Sequence, residues 1–481
     1  MTPTWGEGRR WGVTCQLATT RSSTSWGIGD FGDLARLGAW LRDVGGDVIA
    51  VSPLGDQLPI LPRQNSPYFG SSRRWLDPIH LDISRIERHD SVDVSDLESA
   101  AHRLNDHPLI DRSAAWGYKR DAFRRIFDDE VHRGHDEDLD RFIEAGGPDL
   151  AAHARFCVLT ERYGVGWPGW PDDHVEPDDV ELRLWAWLQW HADRQLRRAS
   201  EVCDLNGDVP VGCDPAGADA WADQALMATG WHVGAPPDEF NQEGQDWAIV
   251  PYAPDRLAEA AHRPLRAMLA ANSERFAGLR LDHVMGLFRL WWVPAGAAPQ
   301  DGHYAYYDAE TQLAIVVDEV NRHHTFIIGE DLGTVEDGVR ARLAEAGIPG
   351  LAVAWFEGRE PEEWPESSVG MLTTHDLPTV VGALSDPAEW LLAERIRRFA
   401  RCDEWAEPNA VVVEAHRRLA GSRSGMVLAT LEDICGSPHR VNRPGTTDVH
   451  DNWRFALPVL VDDLAGHDLV RANIDALHTR V

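Results

Sequence analysis

Three short acidic segments in the second half of the chain have the residue types for glycosidic chemistry: Leu281-Asp282-His283, Gly329-Glu330-Asp331 and His375-Asp376-Leu377. Each follows an apolar run and precedes a break or a helical pattern, the setting of a residue where a buried strand reaches the rim of an α/β fold. Three carboxylates on one rim suit cleavage of a glycosidic bond, in which one carboxylate attacks and one acid protonates the leaving oxygen. Strand alternation puts Arg280 and Asp282 on the same side. A guanidinium there favours the ionised form of Asp282, as a nucleophile requires, although a structural ion pair at a strand end uses the same two residues. Glu330 serves as general acid if its surroundings raise its pKa while its neighbour stays charged. Helix capping is the competing explanation, for Asp331 and Glu336 at a helix expected over 335–345, and for Asp376 at a helix with Pro378 in its first turn.

The elements that must position these acids read as alternating strands and helices. An extended apolar run at 11–17 leads through a glycine-bearing segment to a helical pattern over 30–44, where Leu34, Leu37, Trp40 and Leu41 share a face. Val48-Ile49-Ala50-Val51 then completes the opening of a right-handed parallel unit. Charged, helix-rich sequence with proline breaks fills 83–203. Strand signals resume at 208–212, 279–282, 325–329, 351–356 and 371–375, mostly with helical patterns between them. This rhythm is that of an α/β chain folded as a (β/α)8 barrel with inserted helical subdomains. The expected division is 1–82 for the first barrel strands and loops, 83–203 for a mostly helical insertion, and 204–481 for the rest of the barrel.

Composition excludes several function classes. The 481 residues carry 78 acidic against 46 basic side chains, a formal charge of −32, which repels nucleic acid and anionic membrane and favours neutral or cationic ligands. Lys119 is the only lysine, which leaves almost no material for Schiff-base chemistry or a lysine-dependent phosphate loop. The cysteines at 15, 157, 203, 213, 402 and 435 are dispersed and form no Cys-x-x-Cys pair; they read as reduced, mostly buried thiols. Residues 1–10 lack an apolar segment of signal length and no later run is long enough to span a bilayer, so a soluble, cytoplasmic protein is expected. No metal-ligand spacing such as His-Glu-x-x-His occurs, and neither metal nor cofactor is called for.

Further motifs accompany the acids: Trp26-Gly27-Ile28-Gly29-Asp30-Phe31-Gly32-Asp33, Ser66-Pro67-Tyr68 with Ser71-Ser72-Arg73-Arg74-Trp75, Gly234-Ala235-Pro236-Pro237-Asp238, Thr374-His375-Asp376-Leu377-Pro378-Thr379, and the late Asn442-Arg443-Pro444-Gly445-Thr446 and Asn452-Trp453. In this order, from about Trp11 to Trp453, they closely resemble the 4-α-glucanotransferases, the amylomaltases or disproportionating enzymes of glycoside hydrolase family seventy-seven. The resemblance implies a (β/α)8 barrel and a retaining double displacement with Asp282 as nucleophile, Glu330 as acid and then base, and Asp376 as the acid that binds sugar hydroxyls. Retention sets the two main carboxyls about 5–5.5 Å apart. By the same resemblance Arg280, His283 and His375 orient these groups and the sugar, Tyr68 is the platform beneath it, and Asp214 is a further sugar-binding acid. Gly244-Gln245-Asp246-Trp247 resembles a loop over the acceptor sites, with Trp247 exposed for stacking. Many relatives continue Trp-Gly-x-Pro, whereas this chain has Trp247-Ala248-Ile249-Val250-Pro251. Relatives with long N-terminal extensions carry extra glucan-binding domains; this chain resembles the compact version.

The implied ligands are maltooligosaccharides and α-glucans, with no nucleic acid and no membrane. An α-glucan hydrolase would use the same acids and differ in whether water or sugar reaches the intermediate. Phosphorolysis lacks lysines for an anion site, and a glucan-binding protein on an inactive barrel is opposed by the presence of all three acids. Of the 21 tryptophans, most are expected in packing rather than under sugars.

Overall fold

In the computed structural model the described residues are 5, 8–133, 136–237, 242–446 and 450–478, so Asp238 of the Gly234–Asp238 motif lies outside them. Twelve strands occur among them: β1 Arg10–Cys15, β2 Val48–Val51, β3 Asp204–Val209, β4 Trp231–Ala235, β5 Gln245–Ile249, β6 Gly278–Leu281, β7 Arg289–Pro294, β8 His303–Tyr306, β9 Phe326–Gly329, β10 Gly350–Val353, β11 Ser368–Met371 and β12 Met426–Thr430. Eight form one parallel sheet in the order β10-β11-β12-β1-β2-β3-β6-β9. Beyond its two ends the Gly329 amide donates to the Pro349 carbonyl at 2.9 Å, which brings β9 to β10 and curls the sheet into a barrel. β9, β11 and β12 are buried along their whole length, as expected of strands covered on both faces.

Helices run back along the outside. The first, Phe31–Asp43, begins on a capping box in which Asp30 accepts from the Asp33 amide at 3.0 Å and Asp33 from the Asp30 amide at 3.1 Å. Leu34, Leu37 and Leu41 of its inner face are fully buried. Burial of each leucine contributes about 1.5–3 kcal/mol relative to exposure. Between β2 and β3 the chain passes through Arg112–Arg133, Glu137–Tyr163 and Asp179–Ser200. Lys119 lies on the first of these and is fully buried, its Nζ donating to the carbonyls of Ile79 and Leu81 at 2.8 Å. The chain's sole lysine therefore ties a helix to the loop after β2.

A second sheet, antiparallel and ordered β5-β4-β7-β8, was not legible in the sequence. Its strands come from the segments that follow β3 and β6, and Val233, Ile249, Leu290 and Trp292 form a small core of their own. Within the expected acceptor-site loop near 240–251, Gln245–Ile249 form strand β5.

Several local expectations also change. The strand expected at 371–375 ends at Met371, and His375 and Asp376 lie in the turn beyond it. The helix expected from 335 begins at Val339, so Asp331 caps nothing there: it accepts from Arg340 Nε at 2.8 Å and from the Leu351 amide at 2.9 Å. Thr379 caps the helix after Asp376 by accepting from the Gly382 amide, so Asp376 is free of a capping role.

Candidate active site

The barrel register brings the first two acids together. Asp208 on β3 pairs with Arg280 on β6, and Leu281 pairs with Gly329 on β9, so Asp282 and Glu330 leave adjacent strands side by side. Arg280 Nη1 donates to both oxygens of Asp208 at 2.8 Å and to Asp282 Oδ1 at 2.9 Å. Tyr68 donates its hydroxyl to Asp208 Oδ2 at 2.5 Å. Asp208 fixes the guanidinium, and the guanidinium fixes Asp282. Sequence reasoning included Asp208 only as the start of a strand; no acidic neighbour marked it, and its role appears only when β3 and β6 are paired.

Glu330 is held by main-chain donors. Its Oε2 accepts from the His283 amide at 2.9 Å and its Oε1 from the Leu332 amide at 2.6 Å. His283 stands in the left-handed region at φ 44 and ψ 62, a conformation that costs a non-glycine residue roughly 1–2 kcal/mol. That turn aims the amide next to Asp282 at the Glu330 carboxylate. Burial pushes the Glu330 carboxyl up to about 7, with Asp282 adding to the rise while Arg280 and the two amides oppose it. Asp208 is likewise raised, first by burial. Three acids thus face one arginine.

Asp376 has the opposite character. Burial alone would raise it, but the His375 ring and the Asn442 amide hold it at about 2. Asn442 Nδ2 donates to Asp376 Oδ1 at 2.6 Å, His375 Nε2 lies 3.3 Å from Oδ2, and Arg440 donates to the Asp376 carbonyl. Although deep in the fold, 44% of the Asp376 side chain is exposed, because it faces an open cleft. Tyr68, His375 and Trp453 form an aromatic floor beside it, with ring centroids 4.9, 5.4 and 5.2 Å apart. Asn442 and Trp453 stood in quoted motifs, yet sequence alone attached no role to either.

The cleft measures about 1520 Å³ and is lined by Tyr68, Gln245, Trp247, Arg280, Asp282, His283, Glu330, His375 and Asp376. This exceeds the usual small-molecule pocket of about 300–1,000 Å³ and leaves room for a chain of sugars. Asp214 is a correction. It is buried off the cleft in the turn after β3, where it accepts from the Ala216 amide at 2.8 Å and its carbonyl from Gly217 at 2.9 Å. Trp247 is half-buried on β5 rather than free: its indole donates to Gln245 Oε1 at 3.1 Å and meets the His283 ring edge-on at 5.2 Å.

Ala248, at the departure from Trp-Gly-x-Pro, has φ 56. Its amide donates to Asp246 Oδ1 at 2.7 Å, which holds the turn despite the β-carbon. Ala248→Gly is expected to stabilise the protein by about 1 kcal/mol, seen as a higher urea midpoint at unchanged slope. An unchanged or lower midpoint would show that the strain is not there.

A family model described as 4-alpha-glucanotransferase matches residues 15–461. A 4-alpha-glucanotransferase of Mycobacterium tuberculosis is 35% identical over an alignment covering 95% of this chain and 73% of the relative, and one of Chlamydia caviae is 24% identical over 98% and 94%. The crystal structure of amylomaltase from Corynebacterium glutamicum superposes with a TM-score of 0.88 at 29% identity, covering 98% of this chain and 75% of that one. Amylomaltase from Streptococcus agalactiae in complex with acarbose shares the fold, with a TM-score of 0.83 at 17% identity and coverage of 98% and 99%.

Proposed function

This chain belongs to the 4-alpha-glucanotransferase family and is a glucan-transferring enzyme, and from that premise we propose how its residues divide the work. Asp282 attacks the anomeric carbon of an α-1,4-linked donor while Glu330 delivers its proton to the departing O4, so the glycosidic bond breaks as the ester to Asp282 forms. Glu330, now ionised, takes the proton of an incoming 4-hydroxyl, which displaces Asp282 and restores the α configuration. The observation that carries this reading is the unequal treatment of the acids: Arg280 bonds Asp282, while burial lifts Glu330 to about 7, suited to giving and regaining a proton near neutrality.

Asp376, kept ionised beside His375 and Asn442, accepts hydroxyl protons of the sugar over the Tyr68 floor and strengthens those contacts as positive charge develops on the ring. Gln245 and Trp247 border the acceptor side. Neutral maltooligosaccharides suit a cleft in a strongly acidic protein, which disfavours nucleic acid and anionic membrane. No helix among the described residues is long and apolar enough to cross a membrane. All six cysteines are free, which suits a reducing cytoplasm. The proposal divides the chain at 1–82, 83–203 and 204–481. Incubation with maltotriose tests the reading: glucose plus a ladder of longer oligomers is expected, whereas glucose and maltose with no longer product would make the protein a hydrolase.

A further inference from the structure

Away from the cleft, Asp56, His153 and Cys157 bring an oxygen, a nitrogen and a sulfur to one buried point. His153 Nε2 lies 3.1 Å from Asp56 Oδ2 and 3.6 Å from Cys157 Sγ, and Cys157 Sγ lies 3.8 Å from Asp56 Oδ2. In a tetrahedral zinc site, with Zn–O and Zn–N about 2.0–2.2 Å and Zn–S about 2.3 Å, neighbouring ligand atoms are about 3.3–3.6 Å apart. The triangle, with edges of 3.1, 3.6 and 3.8 Å, brackets this size. His153 and Cys157 stand four residues apart on one face of the helix Glu137–Tyr163, and Asp56 reaches them from the loop after β2.

Hydrogen bonding among the three leaves much unsatisfied. Two partners crowd the single nitrogen Nε2, while His153 Nδ1 and Asp56 Oδ1 are buried without any hydrogen-bond partner. Asp56 and Cys157 are 1% exposed and His153 3%, so no bulk water offsets that loss. The imidazole is instead held by Trp75, stacked at 5.3 Å and 25°.

We propose that Asp56, His153 and Cys157 are three of the ligands of a buried zinc ion. A carboxylate and a thiolate offset the two charges of the cation, and neutral His153 completes a donor set of net zero charge, which lowers the cost of burial. Binding releases the Cys157 thiol proton to solvent as the Zn–S bond forms. The consequence is mechanical. Asp56 also anchors its own loop, its carbonyl accepting from the amides of Ser71 and Ser72 at 2.7 and 3.1 Å and its amide donating to Trp75 at 2.7 Å. That loop carries Tyr68, so the metal staples the helix to the segment that floors the cleft. The ligands come from positions 97 residues apart, which is why no sequence spacing revealed them.

The test uses the untagged chain expressed in minimal medium with zinc or with cobalt as the sole added transition metal. About one metal ion per chain is expected after gel filtration, and the cobalt form is expected to show a thiolate-to-cobalt charge-transfer band in the near ultraviolet. Cys157→Ser is expected to lose that band and melt at a lower temperature while retaining glucan transfer. Fewer than about one ion per ten chains with no band, or a band unchanged in Cys157→Ser, would overturn the assignment. Should that variant fail to fold, Asp56→Asn replaces it, and the metal content and spectrum of the parent decide independently of either.

Discussion

Replacing Asp282 with asparagine is expected to lower kcat for glucan transfer by about 10⁴-fold or more, equivalent to at least roughly 5 kcal/mol of transition-state stabilisation. The substitution keeps shape and removes the charge that attacks. Arg280 retains both oxygens of Asp208 at 2.8 Å, so the guanidinium is not left without an anionic partner and the barrel rim is expected to stay in place. The loss should therefore appear in kcat, with circular dichroism and the melting temperature close to those of the parent. Steady-state rates on maltotriose measure it, and a loss of less than tenfold would remove Asp282 from the role of nucleophile.

Replacing Glu330 with glutamine is expected to act in two directions at once: transfer falls by roughly 10²–10⁴-fold, the span of a lost general acid, and the protein becomes more stable above neutral pH. The carboxyl ordinarily titrates at 4.5, and burial in the folded protein lifts it to about 7. Between those values the folded state binds a proton that the unfolded chain has released, so unfolding free energy falls as pH rises through the window. Above pH 7 the whole deficit is present, and below about 4.5 it vanishes. Glutamine has no proton to lose. At pH 8 the variant is expected to exceed the parent by roughly 3 kcal/mol, and at pH 4 the two are expected to be nearly equal. Denaturant titrations at the two pH values measure the difference; equal stability at pH 8 would mean that Glu330 is not raised. The parent's transfer rate should correspondingly decline as pH rises past 7, because the first step needs the protonated acid.

The parts of this site visible in the sequence were those that one segment carries by itself. Asp282, Glu330 and Asp376 each follow an apolar run, and strand alternation alone places Arg280 beside Asp282. What the sequence hid depends on pairing between distant segments. Asp208 matters because β3 lies against β6, and Asn442 because the chain returns to Asp376 from 66 residues away. The second sheet escaped notice because β4, β5, β7 and β8 are four to six residues long and mix polar with aromatic side chains, so neither periodicity dominates. Asp214 misled for a related reason: an acid shortly after a barrel strand has the same local signature whether it faces the cleft or closes a turn. Its contact with the Ala216 amide is what separates the two cases. Trp247 was expected to be free for stacking, and its tie to Gln245 on the same strand makes it a fixed wall of the cleft.

The division of labour between Asp282 and Glu330 can be tested by trapping the intermediate. A glycosyl fluoride loses its leaving group without protonation, so Glu330→Gln should still form the ester to Asp282 from α-maltotriosyl fluoride yet release it slowly for want of a base. Intact-mass spectrometry of that variant should then register one added maltotriosyl unit, and peptide mapping should place it on Asp282. An adduct on Asp208 or Asp376, or complete turnover of the fluoride with no adduct on any carboxylate, would contradict the account.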